Sequence, residues 1–218
     1  FSTVARESND FGCAVCDSDG TGIGYTTKGT PRMSIILPRT IRAIIEKIPA
    51  DTLQDGDVLF TNDPWYGSGH LPDFYITMPI FRHGRIVGYA GASSHVADVG
   101  GTVSTGARQV YEEGICFPPV KLFRAGAPDP VIFSIIEKNV RVSDMVLGDL
   151  NALIASCRTS ARELVKLMDE TGIDDLRPVS AELNARTEKV FRRAIEEIPD
   201  GTYSSSIQTD GFDGRSEE

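Results

Sequence analysis

Phe74-Tyr75-Ile76-Thr77-Met78-Pro79-Ile80-Phe81, then Arg82-His83-Gly84-Arg85, then Ile86-Val87-Gly88-Tyr89-Ala90-Gly91-Ala92: two β-rich runs flank a two-residue turn centre. Aromatic and β-branched residues favour a pleated, half-buried strand, and His-Gly at a turn centre tolerates positive φ. The spacing predicts a β-hairpin, with strands at Phe74 to Phe81 and Arg85 to Ala92. A turn centred on His83-Gly84 sets Pro72 across from His95, so the hairpin draws together the residues just outside its two open ends. Those flanks are His70-Leu71-Pro72-Asp73 and His95-Val96-Ala97-Asp98-Val99-Gly100-Gly101. Opposed strand residues have Cβ atoms about 4.5–5.5 Å apart. Two of the chain's three histidines and one carboxylate therefore fall within one or two rungs of each other.

Two imidazoles and a carboxylate suit a divalent transition metal and leave coordination positions open for water or a substrate oxygen. His70, Asp73 and His95 are the candidate ligands, and zinc and manganese both suit the donor set. Gly67, Gly69, Gly100 and Gly101 let the backbone bend close to an ion. The plainer reading is a pair of hydrogen-bonded histidines at a sheet edge, since His-x-x-Asp alone is a weak pattern; His83 belongs to the solvated turn tip. Three further carboxylates are candidate catalytic residues. Asp63, in Asn62-Asp63-Pro64, either orients a ligand or makes ordinary turn contacts. Asp98 either accepts a hydrogen bond from a ligand imidazole or forms a turn. Glu113, in Glu112-Glu113, is either a general base or part of a solvated face. No GxxxxGK[ST] or GxGxxG occurs, so no nucleotide site is expected in this chain, and no GxSxG elbow supports a serine nucleophile.

Phe11-Gly12-Cys13-Ala14-Val15-Cys16 predicts a strand running into the turn Asp17-Ser18-Asp19-Gly20, with a return over Gly22 to Thr26. Within a strand, Cys13 and Cys16 point to opposite faces, which argues against a shared ion or a redox pair and for core packing. Thr40 to Lys47 predicts a helix with Ile41, Ile44 and Ile45 on one face, ended by Pro49. Short strands are expected at Asp57 to Thr61 and Val120 to Phe123, with a loop from Gly100 to Gly114. Leu150, Leu153, Ile154, Cys157, Ala161, Leu164, Val165 and Met168 mark one face of a long helix, with Asp144 as N-cap and Gly172 as stop. Ser180 to Ile198 predicts a second amphipathic helix with Leu183, Val190, Phe191, Ala194 and Ile195 inward, and Gly201 to Gln208 a strand. The fold class is α+β (mixed): an N-terminal strand-rich module with a β-hairpin, followed by two amphipathic helices. A module break near 126–130 is one option, and a single domain is the other.

The formal net charge of −9, with acidic residues spread along 218 residues, gives neither nucleic acid nor an anionic membrane surface a basic patch to hold. No apolar run approaches the roughly 20 residues of a membrane helix, and no charged leader with an apolar core opens the chain. Four cysteines do not make a disulfide framework at this size, which points to the cytoplasm. The chain opens on Phe1 and stops in turn-like residues, so it reads as an incomplete portion of a longer subunit.

Asn62-Asp63-Pro64-Trp65-Tyr66-Gly67-Ser68-Gly69-His70-Leu71-Pro72-Asp73, followed by a hairpin and His95-Val96-Ala97-Asp98-Val99-Gly100-Gly101, resembles the hydantoinase B/oxoprolinase family. Asp10-Phe11-Gly12-Cys13-Ala14, Glu113-Gly114-Ile115-Cys116-Phe117-Pro118-Pro119-Val120-Lys121-Leu122, Leu147-Gly148-Asp149-Leu150 and Pro199-Asp200-Gly201-Thr202-Tyr203 extend the resemblance over nearly all of residues 1–218. It implies the metal-bearing catalytic subunit of an ATP-dependent hydrolase of cyclic amides such as hydantoins, 5-oxoproline or lactams. A ketone carboxylase subunit is the alternative, and a structural subunit without metal is the non-enzymatic one. It also implies a hetero-oligomer in which a hydantoinase A-type partner uses ATP to phosphorylate the small-molecule substrate. Carried over by position, the metal ligands are again His70, Asp73 and His95. Many members have His-His before Ala-Asp-Val-Gly-Gly; here the second is Val96, so only a role for that second imidazole is lost.

Overall fold

A computed structural model describes residues 1–102 and 106–208. Two compact units emerge, Phe1–Glu182 and Leu183–Glu218. The first contains a seven-stranded, wholly antiparallel sheet in the order β2-β1-β5-β4-β3-β6-β7. Its strands are β1 (Phe11–Asp17), β2 (Gly22–Tyr25), β3 (Val58–Thr61), β4 (Asp73–Arg82), β5 (Arg85–His95), β6 (Val120–Arg124) and β7 (Ala127–Pro128). The helices are α1 (Thr3–Glu7), α2 (Pro31–Ile35), α3 (Leu37–Lys47), α4 (Val110–Glu113), α5 (Pro130–Asn139), α6 (Ser143–Thr171) and α7 (Arg177–Glu196). The mixed α+β class expected from the pattern is the class observed.

The expected hairpin is the centre of the sheet. His83 and Gly84 have φ of 52° and 76°, the doubly positive pair of a type I′ turn whose twist matches its strands. Both faces of the sheet are covered, so side chains alternate between two cores. Val58, Phe60, Phe74, Ile76, Ala90 and Ala92 pack with Leu150, Leu153, Ile154, Cys157 and Leu164 of α6. Leu59 and Tyr89 pack on the other side with Ile41 and Ile44 of α3, and Tyr75 with Leu37. Full burial of each large apolar side chain contributes about 1.5–3 kcal/mol. Cys13 and Cys16 do lie on opposite faces: Cys16 is in the α3-side core, and Cys13 packs against the α6-side core.

Several expectations are corrected. The register slips by one near the turn: Arg82 pairs with Arg85 and Phe81 with Ile86, but Ile80 pairs with Gly88. Val87 is thus an extra residue, a β-bulge, and it brings Asp73 rather than Pro72 across from His95. Asp144 lies in the first turn of α6, not at its cap, which is Val142; a carboxylate there still complements the helix dipole. Gly172 ends α6 in a left-handed conformation, as expected (φ 69°). The expected 100–114 loop, described apart from residues 103–105, contains α4, and the short strand β7 leads into α5. Asp129 caps α5 by accepting hydrogen bonds from the amides of Val131 and Ile132, with Pro130 at the first helical position.

In the second unit, Leu183, Val190, Phe191 and Ile195 are exposed rather than inward. Residues 201–208 form no strand. No helix among the described residues is long and apolar enough to cross a membrane.

Candidate metal centre

β4 opens with Asp73 and β5 closes with His95, and the two are direct partners across the ladder. His95 Nδ1 lies 3.1 Å from Asp73 Oδ1. His70 reaches the same oxygen from the preceding loop, with Nε2 at 2.8 Å. The imidazole centroids are 5.0 Å apart, and one potential ligand atom from each of the three residues lies within 4.8 Å of the others. Asp73 is fully buried, whereas the two histidine side chains keep 28% and 26% of their exposure. The cluster therefore has a closed floor and an accessible mouth.

Backbone and loop contacts hold this arrangement. Ser68 donates its hydroxyl to Asp73 Oδ2. The Ser68 amide donates to the buried Tyr75 hydroxyl at 2.7 Å. A Cβ on Gly67 would sit 2.2 Å from the Tyr75 ring, so the loop can lie this close only with glycine there. Asn62 is wholly buried and ties three segments together: its amide donates to the carbonyls of Leu71 and Ile115 at 2.9 Å each, and its oxygen accepts from the Phe117 amide at 2.7 Å.

Charge is concentrated on Asp73. Burial favours its neutral form, but the close imidazoles of His70 and His95 and the Ser68 hydroxyl together outweigh burial and hold the carboxyl far below the usual carboxylate range. The neighbouring Asp73 carboxylate raises the pKa of His70, ahead of the opposing effect of burial. Burial, then the Asp73 charge, pushes the Tyr75 phenol up to about 12.

Do these groups fit a cation? His70 Nε2 is buried and 2.8 Å from a carboxylate oxygen, yet it misses hydrogen-bond geometry. A nitrogen and an oxygen that converge without a shared hydrogen bond are arranged as ligands of a common centre are. Two nitrogens and one carboxylate oxygen also match the donor chemistry of zinc or manganese. Asp10, part of the resembling stretch Asp10 to Ala14 but given no site role from the sequence, adds a second point of interest. Its carbonyl accepts from the His95 amide at 3.0 Å, and its Oδ1 is buried without a hydrogen-bond partner among the described residues.

The other candidate carboxylates make their hydrogen bonds outside the triad. Asp63 caps its own loop, accepting from the Trp65 amide at 3.0 Å. Asp98 accepts no hydrogen bond from an imidazole among the described residues: Arg141 and the Gly100 amide occupy its oxygens; burial pushes its pKa up, but these bonds together outweigh burial and leave it below the usual value. Glu113 accepts from the Leu71 amide at 2.8 Å and so fixes the residue beside His70. His95, Asp98, Glu113 and Arg141 share the wall of one small pocket of about 100 Å³.

Comparison with known proteins shows the family and the fold. The chain is 33% identical over 160 residues to the caprolactamase subunit beta of Pseudomonas jessenii, covering 72% of this chain and 28% of that protein. It is 27% identical over 197 residues to the acetophenone carboxylase delta subunit of Aromatoleum aromaticum, covering 87% and 28%. The crystal structure of the ATP-dependent caprolactamase from P. jessenii superimposes with a TM-score of 0.78 at 29% identity, covering 94% of this chain and 36% of that one. The chain thus spans about a third of the length of these relatives. The hydantoinase B/oxoprolinase family model matches residues 1–215, and the chain belongs to that family.

Proposed function

We propose that this chain carries the metal-binding part of the catalytic subunit of an ATP-dependent cyclic-amide hydrolase. Its metal would be zinc or manganese, held by His70, Asp73 and His95. The observation that carries the reading is the convergence of both imidazoles on one buried oxygen of Asp73. When bound, a divalent ion there supplies Lewis acidity toward an amide carbonyl and lowers the pKa of water. Ser68 holds Asp73 anionic from the opposite oxygen, and Glu113 fixes the His70 loop through the Leu71 amide. From the pocket it shares with His95, the Glu113 carboxylate can take a proton from attacking water and return it to the leaving amine.

The similarity to a caprolactamase subunit supports an amide substrate, and the word subunit in the relatives' names supports a hetero-oligomer. The proposed partner is a hydantoinase A-type subunit that spends ATP on the small-molecule substrate, in the cytoplasm. The similarity to acetophenone carboxylase favours a second reading, in which the same site steadies an enolate during ketone carboxylation. Co-expression of the full-length protein with its A-type partner separates the two. Ring opening of a lactam, hydantoin or 5-oxoproline that requires both ATP and His70 is the expected result. Incorporation of labelled bicarbonate into a ketone, with no ring opening, overturns it in favour of the carboxylase.

A further inference from the structure

Arg32 is a half-exposed cation beside Asp73, and the function above leaves it without a task. Its Nη2 lies 3.9 Å from Asp73 Oδ2, beyond hydrogen-bond reach, and its side chain is half exposed. The close contacts of Asp73 are already taken, by Ser68 on Oδ2 and by both imidazoles on Oδ1. The Arg32 guanidinium makes no hydrogen bond among the described residues, so a fork of five donors stands beside the cluster, paired only loosely with Asp73.

The backbone beneath it is held firmly. The Thr30 amide donates to the carbonyls of Asn9 and Phe11, and the Ser93 hydroxyl donates to the Met33 carbonyl at 2.9 Å. A Cβ on Gly12 would lie 2.4 Å from the Ser34 amide nitrogen and 2.5 Å from the Met33 carbonyl carbon, so α2 sits directly on β1 with no side chain between them. This contact fixes the base of the arginine side chain above the ends of β4 and β5. Asp73 brings one negative charge to the ion proposed above and to this guanidinium. It meets the guanidinium only at 3.9 Å, so the donors stay open to an anionic oxygen that approaches the histidines from the accessible side.

We propose that Arg32 is a specificity-determining residue that binds an anionic oxygen, phosphoryl or carboxylate, of a substrate seated at the His70–Asp73–His95 site. The inference deepens the metal reading and rests on it for the position of the substrate. A planar guanidinium matches such an oxyanion with two parallel N–H bonds, which an amide side chain cannot reproduce.

The test uses the full-length protein in complex with its partner, loaded with zinc, with inorganic phosphate and acetate as separate probes. Titration followed by phosphorus or proton NMR should give saturable binding of at least one probe, and the probe bound more tightly identifies the anion class. Arg32→Gln should weaken that binding roughly tenfold with zinc content unchanged, and Arg32→Lys should fall between the two. Unchanged affinity in Arg32→Gln, or loss of zinc from that variant, overturns the proposal, the latter because it makes Arg32 structural. Failure of the wild type to bind either probe also overturns it. A wild-type complex that takes up no zinc but still binds phosphate through Arg32 supports this inference and sinks the metal reading instead.

Discussion

Asp57 and Asp73 are both buried aspartates at the edges of neighbouring strands, and they are held in opposite ways. Asp57 precedes β3 and is matched by fixed donors: the Lys121 ammonium at 2.7 Å, the Gln54 amide at 3.0 Å and the Ala125 amide at 2.8 Å. Lys121 also donates to the Thr52 carbonyl at 2.6 Å, which closes the arrangement into a staple between the approach to β3 and β6. Asp73 opens β4 and is surrounded by two titratable imidazoles, a serine hydroxyl and an arginine out of bonding range. A carboxylate whose acceptors are filled by permanent donors contributes to stability. One that shares an oxygen between two imidazoles, below an accessible mouth, is the arrangement that the proposed metal site requires.

That contrast breaks if the two residues respond alike to substitution. Asp73→Ala should lower affinity for zinc by at least about 100-fold, since loss of even a group supporting a ligand costs 10- to 100-fold. Isothermal titration of the apo complex measures it, and wild-type affinity would remove Asp73 from the site. Asp57→Asn should leave zinc affinity untouched and destabilise the fold by on the order of 3 kcal/mol, because it strands the largely buried Lys121 ammonium. Chemical denaturation checks that value. The smallest effect sharpens the comparison through pH. Burial pushes the Asp57 pKa up, but its bonds to Lys121, Ala125 and Gln54 outweigh burial and leave it below the ordinary 3.8. A depressed carboxylate stabilises the fold above its unfolded-state pKa and loses that contribution as pH falls through the folded value. The stability gap between wild type and Asp57→Asn should therefore be full above about pH 5 and shrink below about pH 4. A gap that is constant with pH would mean that the Asp57 charge contributes nothing.

The hairpin and the three converging residues were legible because a strand period of two and a positive-φ turn leave few alternatives. The register was legible only to within one residue. A bulge at Val87 adds a residue without altering the apolar pattern that predicts the strands, and here the slip brings Asp73 into direct register with His95. Asp98 looked like a partner for an imidazole because it follows His95 by three residues, but Arg141, 43 positions later, takes its oxygens. Arg32 and Asp10 lay hidden for a related reason: the backbone contact of α2 with Gly12 that places Arg32 is a tertiary event, with no periodicity to announce it. The face of α7 bearing Val190 and Phe191 shows the reverse limit, since an apolar stripe states that a surface can be covered but not what covers it.

The most direct measurement is anomalous diffraction from crystals of the full-length protein, collected on either side of the zinc or manganese absorption edge. The account predicts a peak about 2.0–2.2 Å from ligand atoms of His70, Asp73 and His95 together. A metal-replete crystal with no peak there, or with the two imidazoles turned away from each other, would contradict it.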